Sequence, residues 1–275
     1  MGRHSYIIHR VFVGLLIAVA YKYAIGQTRN VNVTTWHADI PAICTGCTYR
    51  TGQNLQESTI KYTNLSHTTF GKYCYYNVDG QIFGQPLVVT NVAISGVTHN
   101  VVVYVVTLNG SIYAFDGQPS APSGIPGPCP APILQTSLET GTNVAAGCAN
   151  LGGQNCQTIA PVIGILGTPV ISTNTSGRTT TGTIYLVVES QSGSAPGFTY
   201  GHTLWALDIT TLSPSTAIQV PINPPSGAPP AGCYGESTAS DFSQLHIQRP
   251  VLLLGGDGYL YIAFSMGIFH HCRTA

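Results

Sequence analysis

The side chains with the most potential for chemistry in this 275-residue chain are cysteines and histidines at close spacing. Cys44 and Cys47 have the spacing of a haem attachment site or of half a zinc site. Haem attachment requires a His directly after the second Cys, where this chain has Thr48. One pair of cysteines supplies at most half the ligands of a structural zinc site. We therefore interpret Cys44 and Cys47 as a candidate disulfide.

Two other clusters also lack a clear catalytic pattern. His270-His271-Cys272 holds metal-capable side chains, but it lies in an atypical C-terminal tail, residues 265–275, that does not continue the pattern of the chain before it. We predict no metal site there. The Gly-x-Ser-x-Gly motif of a nucleophilic serine is absent, as is a Walker-type phosphate loop, and Ser192-Gly193-Ser194 is typical of a linker. The sequence therefore predicts no catalytic residue.

The remaining cysteines bear on folding rather than on catalysis. Cys148 and Cys156 form a second close pair in a Gly-containing loop, and we interpret them as another candidate disulfide. The pairing of the other four cysteines stays open, because spacing alone does not give disulfide connectivity. They are Cys74, Cys129, Cys233 and Cys272.

The first 26 residues have the features of a secretory signal peptide. A basic head with Arg3 and Arg10 precedes the apolar stretch Val11–Ala20, and Ala24-Ile25-Gly26 is a small-x-small cleavage site. The apolar stretch is too short to cross a hydrocarbon core of about 30 Å as a helix. We therefore expect a secreted or periplasmic protein with no membrane span after cleavage, in a compartment where cysteines can pair.

Composition narrows the fold class and the partners. Charged residues make up only 7% of the chain, with ten acidic and ten basic side chains, and no basic stripe is present to neutralise phosphates. A nucleic-acid partner is therefore not expected. The 44% hydrophobic content argues against disorder, and the many Gly, Pro, Thr, Val and Tyr residues suit short strands and turns. The sequence predicts an all-β protein.

One short pattern occurs three times along the chain. It begins with a residue-Pro-aliphatic segment at Pro86, Pro169 and Pro250, and continues with aliphatic strands that contain Tyr. The first occurrence predicts strands at Pro86–Ile94, Val101–Thr107, Ser111–Phe115 and Ile133–Leu138. The second predicts Pro169–Thr173, Thr183–Glu189, Thr203–Leu207 and Thr216–Val220, and the third predicts Pro250–Leu254 and Tyr259–Phe264. Repeated strand sets at a long period are typical of a radial β architecture.

We accordingly predict a partial β-propeller: two full four-stranded blades plus part of a third, in separate sheets around a common axis. It occupies residues 70–264, after a turn-rich segment at residues 27–69. Because propellers use four to eight blades, we expect a truncated product or a fragment of a longer gene. Asp116 and Asp208 occupy equivalent positions, so we interpret them as turn-formers. The structural repeat residues are Pro86, Tyr113, Asp116, Pro169, Trp205, Asp208, Pro250 and Tyr261.

Several blocks of the chain resemble secreted bacterial quinoprotein-like β-propellers with pyrroloquinoline-quinone-type repeats. The repeat unit of that family ends in an aromatic-Ala-hydrophobic-Asp signature, which is similar to Tyr113–Asp116 and Trp205–Asp208 here. The resemblance implies that Tyr73–Val78 would complete the last blade, and we expect it to lack its partner strand. The blocks are Trp36–Asn54, Phe70–Val89, Thr98–Asp116, Pro161–Ser172, His202–Thr211 and Leu245–Leu254.

The resemblance leaves two main functional hypotheses. The first is an exported binding scaffold for an unknown protein or cell-envelope ligand, without a cofactor. The alternative is a fragment of a periplasmic pyrroloquinoline-quinone-dependent alcohol or sugar dehydrogenase, which would need Ca²⁺ held by oxygen ligands. We favour the scaffold because adjacent cysteines and a recurring acidic cluster, both expected beside such a cofactor, are missing from the sequence. A non-functional gene remnant is the third hypothesis.

Overall fold

The computed structural model describes residues 32–36, 63, 66, 72–120, 127–139, 144–147, 161–222, 242–244 and 246–266. All of these except Thr63 and Ser66 belong to one compact unit. This part of the chain is mostly β-strand with almost no helix, so the predicted all-β class is confirmed. Among the described residues, no helix is long and apolar enough to cross a membrane.

Sixteen strands and a 3-10 helix, Pro214–Thr216, are the main elements of the described residues, and residues 242–244 are also helical. The first eight strands are β1 Cys74–Tyr75, β2 Leu87–Ile94, β3 Val97–Val106, β4 Ser111–Asp116, β5 Gly127–Pro128, β6 Leu134–Ser137, β7 Val144–Gly147 and β8 Val162–Ile163. The other eight are β9 Val170–Ser176, β10 Thr179–Ser192, β11 Thr199–Asp208, β12 Ile218–Ile222, β13 His246–Ile247, β14 Leu253–Leu254, β15 Leu260–Tyr261 and β16 Ser265–Met266.

The first two occurrences of the sequence pattern each form an antiparallel set of four neighbouring strands. The first set has the order β2-β3-β4-β6 and the second has the order β9-β10-β11-β12. β3 and β4 are joined by a hairpin that contains Asn109-Gly110, a dipeptide that favours tight turns, and Gly110 takes a φ of 75° there. In the second set, β9 and β10 run further than predicted and leave only Gly177 and Arg178 between them, because the Thr-rich sequence there suits a strand.

The two sets are joined into one curled, ten-stranded sheet, so the strict separation into two sheets that we expected is not observed. The junction is one parallel pair, Val92 of β2 with Thr180 of β10. Asn91 of β2 has a φ of 58°, and its pairing with β3 is interrupted there, although the register is the same on both sides. The extra length of β10 brings Thr180 to Val92, the residue after Asn91.

The central strands of both four-stranded sets bury apolar side chains on both faces. One face of the first set, with Val102 and Ile112, packs in a shared core with Ile184 and Leu207 of the second set. This arrangement follows from the continuous apolar runs of the central strands, which place apolar side chains on both sides of the sheet.

The opposite faces are covered by different segments. Val105, Tyr113 and Phe115 of the first set pack against Tyr76 and Val78, just after β1. Val170 and Val187 of the second set pack with residues of the third occurrence of the pattern, among them Leu252, Leu260 and Ile262. The order of packing is therefore the β1 segment, the first set, the second set and the third occurrence.

The β1 segment has a partner, contrary to our expectation for Tyr73–Val78. β1 pairs in parallel with β5, and Cys74 forms a disulfide with Cys129 directly after β5. The aromatic ring of Tyr76 lies 4.2 Å from that of Phe115 between ring centres. This short strand is therefore held by backbone pairing, by a covalent link and by aromatic packing.

The third occurrence of the pattern forms small pairs only. β14 pairs with β15 across a turn in which Gly258 has a φ of 84°. β13 pairs with β16, so the described start of the tail, Ser265–Met266, is part of a two-stranded sheet. Residues 1–26, the four candidate disulfide cysteines and His270-His271-Cys272 lie outside the described residues.

Candidate functional site

The three residue-Pro corners of the repeated pattern lie close together at one place in the structure. The backbone N–H of Gln85, which precedes Pro86, donates a hydrogen bond of 3.0 Å to Thr168 Oγ1. The N–H of Leu252, two residues after Pro250, donates to the backbone oxygen of Thr168 at 3.1 Å. Thr168, which precedes Pro169, therefore connects all three corners.

A pocket of about 290 Å³ opens at this meeting point, and we call it the corner pocket. Trp36 and Phe83 form its aromatic wall and are partly exposed, at 43% and 37% of their surface. Val33 pairs with Val88 of β2, which holds the short segment that carries Trp36 against the first set. The described residues that line it are Trp36, Phe83, Leu166, Thr168, Arg249, Pro250 and Val251.

Arg249 is the one charged residue among the described residues that line the corner pocket, and none of these residues is a carboxylate. Within the described part of the chain, the ion pairs are His99 with Asp116 and His202 with Glu189, so no described carboxylate pairs with the guanidinium of Arg249. Next to Arg249, the side-chain amide of Gln248 donates to the backbone oxygen of Pro250 and fixes the corner. The pocket is thus mostly apolar with one cationic group at its edge.

A second cavity, of about 450 Å³, lies on the outer face of the first set, and we call it the apolar groove. Its floor includes Val103, Val105 and Phe115, and exposed Tyr73 and Ile82 stand at its border. The disulfide half-cystines Cys74 and Cys129 line the same groove. Among the described residues of this lining, one carboxyl is present, that of Asp116. The groove is suited to apolar contact rather than to acid–base chemistry.

A buried polar group links the second set to residues 242–244, which precede the third occurrence of the pattern. His202 Nε2 lies 3.4 Å from Glu189 Oε2, and His202 Nδ1 lies 2.9 Å from Ser243 Oγ. All three residues are buried. Burial raises the pKa of the Glu189 carboxyl, and the hydrogen bond and charge of His202 offset part of that rise. Ser-His-Glu is a catalytic combination, but here the hydroxyl is fully enclosed, so no substrate can reach it in this conformation.

The structural repeat residues have the following places. Asp116 and Asp208 each accept a hydrogen bond from the backbone N–H two residues later, at 2.8 and 2.7 Å. Tyr113 packs on the outer face of the first set, whereas Trp205 lies in the core between the two sets. In the third occurrence, Tyr261 donates a hydrogen bond to Asp257 Oδ2 at 2.6 Å.

The prolines of the pattern are divided between the cavities. Pro86 lines the apolar groove and Pro250 lines the corner pocket, while Pro169 follows the connecting Thr168. The structure therefore brings Pro86 and Asp116 together in the apolar groove and Pro250 and Thr168 together in the corner pocket. Tyr113, Trp205, Asp208 and Tyr261 are not among the described lining residues of either cavity.

Sequence reasoning missed the aromatic wall and the charge of the corner pocket. Trp36, Phe83 and Arg249 are far apart in the chain, and nothing in their local sequence predicts that they meet. One signal was present: the residue before Pro differs among the three occurrences, as Gln85, Thr168 and Arg249, although the rest of the pattern is similar.

Within the described residues, no group of three or more His, Cys, Asp or Glu side chains is close enough to hold a metal ion. Comparison of the chain with family models, curated proteins and solved structures finds no match.

Proposed function

We propose that this chain is an exported binding domain of the quinoprotein-like β-propeller type, with its two four-stranded sets as successive blades. We propose further that it binds a protein or cell-envelope ligand through the apolar groove. The observation that carries the binding function is the groove itself: it is open, about 450 Å³ in volume, and bordered by exposed Tyr73 and Ile82. Exposed apolar surface of this kind is typical of interaction sites.

The packing order supports the propeller. In a two-sheet sandwich each sheet has one buried face and one face toward solvent. Here the central strands of both sets contribute to apolar clusters on both faces, as Tyr104 and Val105 do in the first set and Leu186 and Val187 do in the second. Successive sheets that each pack against the next are typical of blades, and the single Val92–Thr180 pair is a narrow junction between them.

The proposed function is tested by co-sedimentation of the purified protein with a cell-envelope fraction of the source organism. A double variant, Tyr73→Ser with Ile82→Ser, changes exposed residues at the groove and should lower sedimentation at least tenfold. The matched control, Val144→Ser with Ile218→Ser, removes exposed apolar residues outside the groove and should sediment as the unaltered protein does. Prior protease treatment of the fraction distinguishes a protein ligand from another envelope component. Equal sedimentation of the two double variants would contradict the proposal.

The dehydrogenase alternative needs its own measurement. The protein is incubated with pyrroloquinoline quinone and Ca²⁺, and dye reduction is followed with alcohols and sugars. A binding scaffold gives no substrate-dependent reduction. Stoichiometric uptake of the quinone together with dye reduction would favour the dehydrogenase instead.

A further inference from the structure

The corner pocket has the composition of a binding site for a small organic anion. It combines one guanidinium group with an aromatic and aliphatic wall, and its volume of about 290 Å³ lies at the lower end for small-molecule sites. Its lining shares no residue with that of the apolar groove. The two cavities are therefore separate candidate binding sites.

The charge of Arg249 determines the kind of ligand. A guanidinium at the edge of an apolar pocket favours a carboxylate, which can accept two parallel N–H bonds from it. No described carboxylate of the protein pairs with Arg249, so this position is open to a ligand. A single cation neutralises a single negative charge, which favours a monocarboxylate over a polyanion.

The rest of the lining determines what the carboxylate is attached to. Trp36 and Phe83 present partly exposed rings, and Leu166 and Val251 add aliphatic surface. Aromatic rings pack against one another in stacked or edge-on arrangements that add to the burial of apolar area. Thr168 Oγ1 already accepts the N–H of Gln85, and its own hydroxyl proton can donate to a bound carboxylate.

We propose that the corner pocket binds an aromatic monocarboxylate, with the carboxylate on Arg249 and the ring against Trp36 and Phe83. Two sources have this chemistry: a free aromatic acid, and the C-terminus of a peptide that ends in an aromatic residue. Thr168, Arg249 and Pro250 of two corners line the pocket, and Phe83 lies two residues before Gln85 of the third, so the site exists only where the three strand sets meet.

Isothermal titration calorimetry on the full chain tests this proposal with 3-phenylpropionate and its neutral analogue 3-phenylpropanamide. We expect the acid to bind at least about tenfold more tightly than the amide, because the amide loses the charge-assisted pair with Arg249. Arg249→Gln should remove that preference, and Arg249→Lys should retain part of it. The matched control Arg178→Gln removes an exposed arginine in the β9–β10 turn and should bind as the unaltered protein does.

A peptide that ends in Phe with a free carboxylate distinguishes the two sources. Binding tenfold tighter than that of 3-phenylpropionate assigns the site to a chain terminus, and equal or weaker binding assigns it to a free acid. Equal affinity for acid and amide, unchanged binding by Arg249→Gln, or no binding at millimolar concentration would overturn the proposal. The Tyr73→Ser, Ile82→Ser variant should still bind the acid, so failure here is separable from failure of the groove.

Discussion

Glu189 and His202 are directly paired residues of neighbouring strands, and their side chains form a buried pair with 3.4 Å between Oε2 and Nε2. Around the imidazole lie Ser243, Phe242 and Phe264, so the pair is a contact between the second strand set and the third occurrence of the pattern. Removing one member of such a pair leaves the other buried without its partner. This relationship makes the stability of the protein dependent on pH.

We expect the free energy of unfolding of the Glu189→Gln variant to increase relative to that of the unaltered protein as the pH rises. Burial raises the pKa of Glu189 in the folded state, so its contribution is fully present below the unfolded value of about 4.3 and is lost as the pH rises through the folded value. Gln keeps the shape but cannot ionise. Chemical unfolding from about pH 4 to about pH 9 measures the difference. His202→Ala should cost about 1–3 kcal/mol, because it leaves the buried polar groups of Ser243 and Glu189 without their partner. A difference in stability between the Glu189→Gln variant and the unaltered protein that stays constant with pH would contradict this account.

Glu139 is a second carboxyl whose ionisation should make the stability of the protein depend on pH. Burial raises its pKa from 4.5 to about 7. Its protonated form therefore favours folding, and that stabilisation is lost between about pH 4.5 and 7. Glu139→Gln should unfold like the unaltered protein at low pH and be more stable by on the order of 2 kcal/mol at pH 8, after allowance for partial solvent screening. A carboxyl resonance of Glu139 that titrates near pH 4.5 would be inconsistent with this burial.

The turn next to Glu139 can be tested with a pair of glycine variants. Gly110 has a φ of 75° and a Cβ there would lie 2.6 Å from Glu139 Cγ, whereas Gly177 has a φ of 60° and open space around it. Gly177→Ala should cost about 1 kcal/mol from backbone strain alone. Gly110→Ala should cost at least about 1 kcal/mol more, because the new methyl group also displaces Glu139. In a Glu139→Ala background, the two alanine variants should become similar.

The Cys74–Cys129 disulfide should contribute strongly to stability. It joins residues 55 positions apart, and closure of a loop of that length corresponds to about 4 kcal/mol in the chain-entropy model. The double variant Cys74→Ala, Cys129→Ala should show this loss in urea unfolding. It should also lower binding at the apolar groove, which both half-cystines line. A double variant as stable as the unaltered protein would show that Tyr76 and Val78 hold the β1 segment without the disulfide.

The strand sets could be predicted from sequence because a proline at the start of the first strand and the long aliphatic runs are local signals. The Asn109-Gly110 dipeptide likewise favours a tight turn at its own position. The disulfide of Cys74 could not, since pairing among eight cysteines depends on which loops meet in space. The junction of Val92 with Thr180 is a single long-range pair beside the positive φ of Asn91, and neither feature has a local signature in the sequence. The corner pocket depends on long-range contacts, such as the bond of Gln85 to Thr168, that have no local signature.

The packing of the first set on the second depends on one buried hydrogen bond as well as on apolar contact. The hydroxyl of Tyr104 on β3 donates to the backbone oxygen of Ile209, directly after β11, at 2.9 Å. Tyr104→Phe keeps the ring but leaves that carbonyl without its donor, and should cost about 1–2 kcal/mol in urea unfolding.

Tyr185→Phe is the matched control for Tyr104→Phe, because Tyr185 packs on the opposite face of the second set and no described hydrogen bond involves its hydroxyl. Its stability should change by less than about 0.5 kcal/mol. If the two sets are blades that move as separate bodies, Tyr104→Phe should also increase hydrogen exchange in β10 more than in β14 and β15. Equal effects of the two variants would show that the sets are held by apolar burial alone, without a contribution from the Tyr104–Ile209 bond.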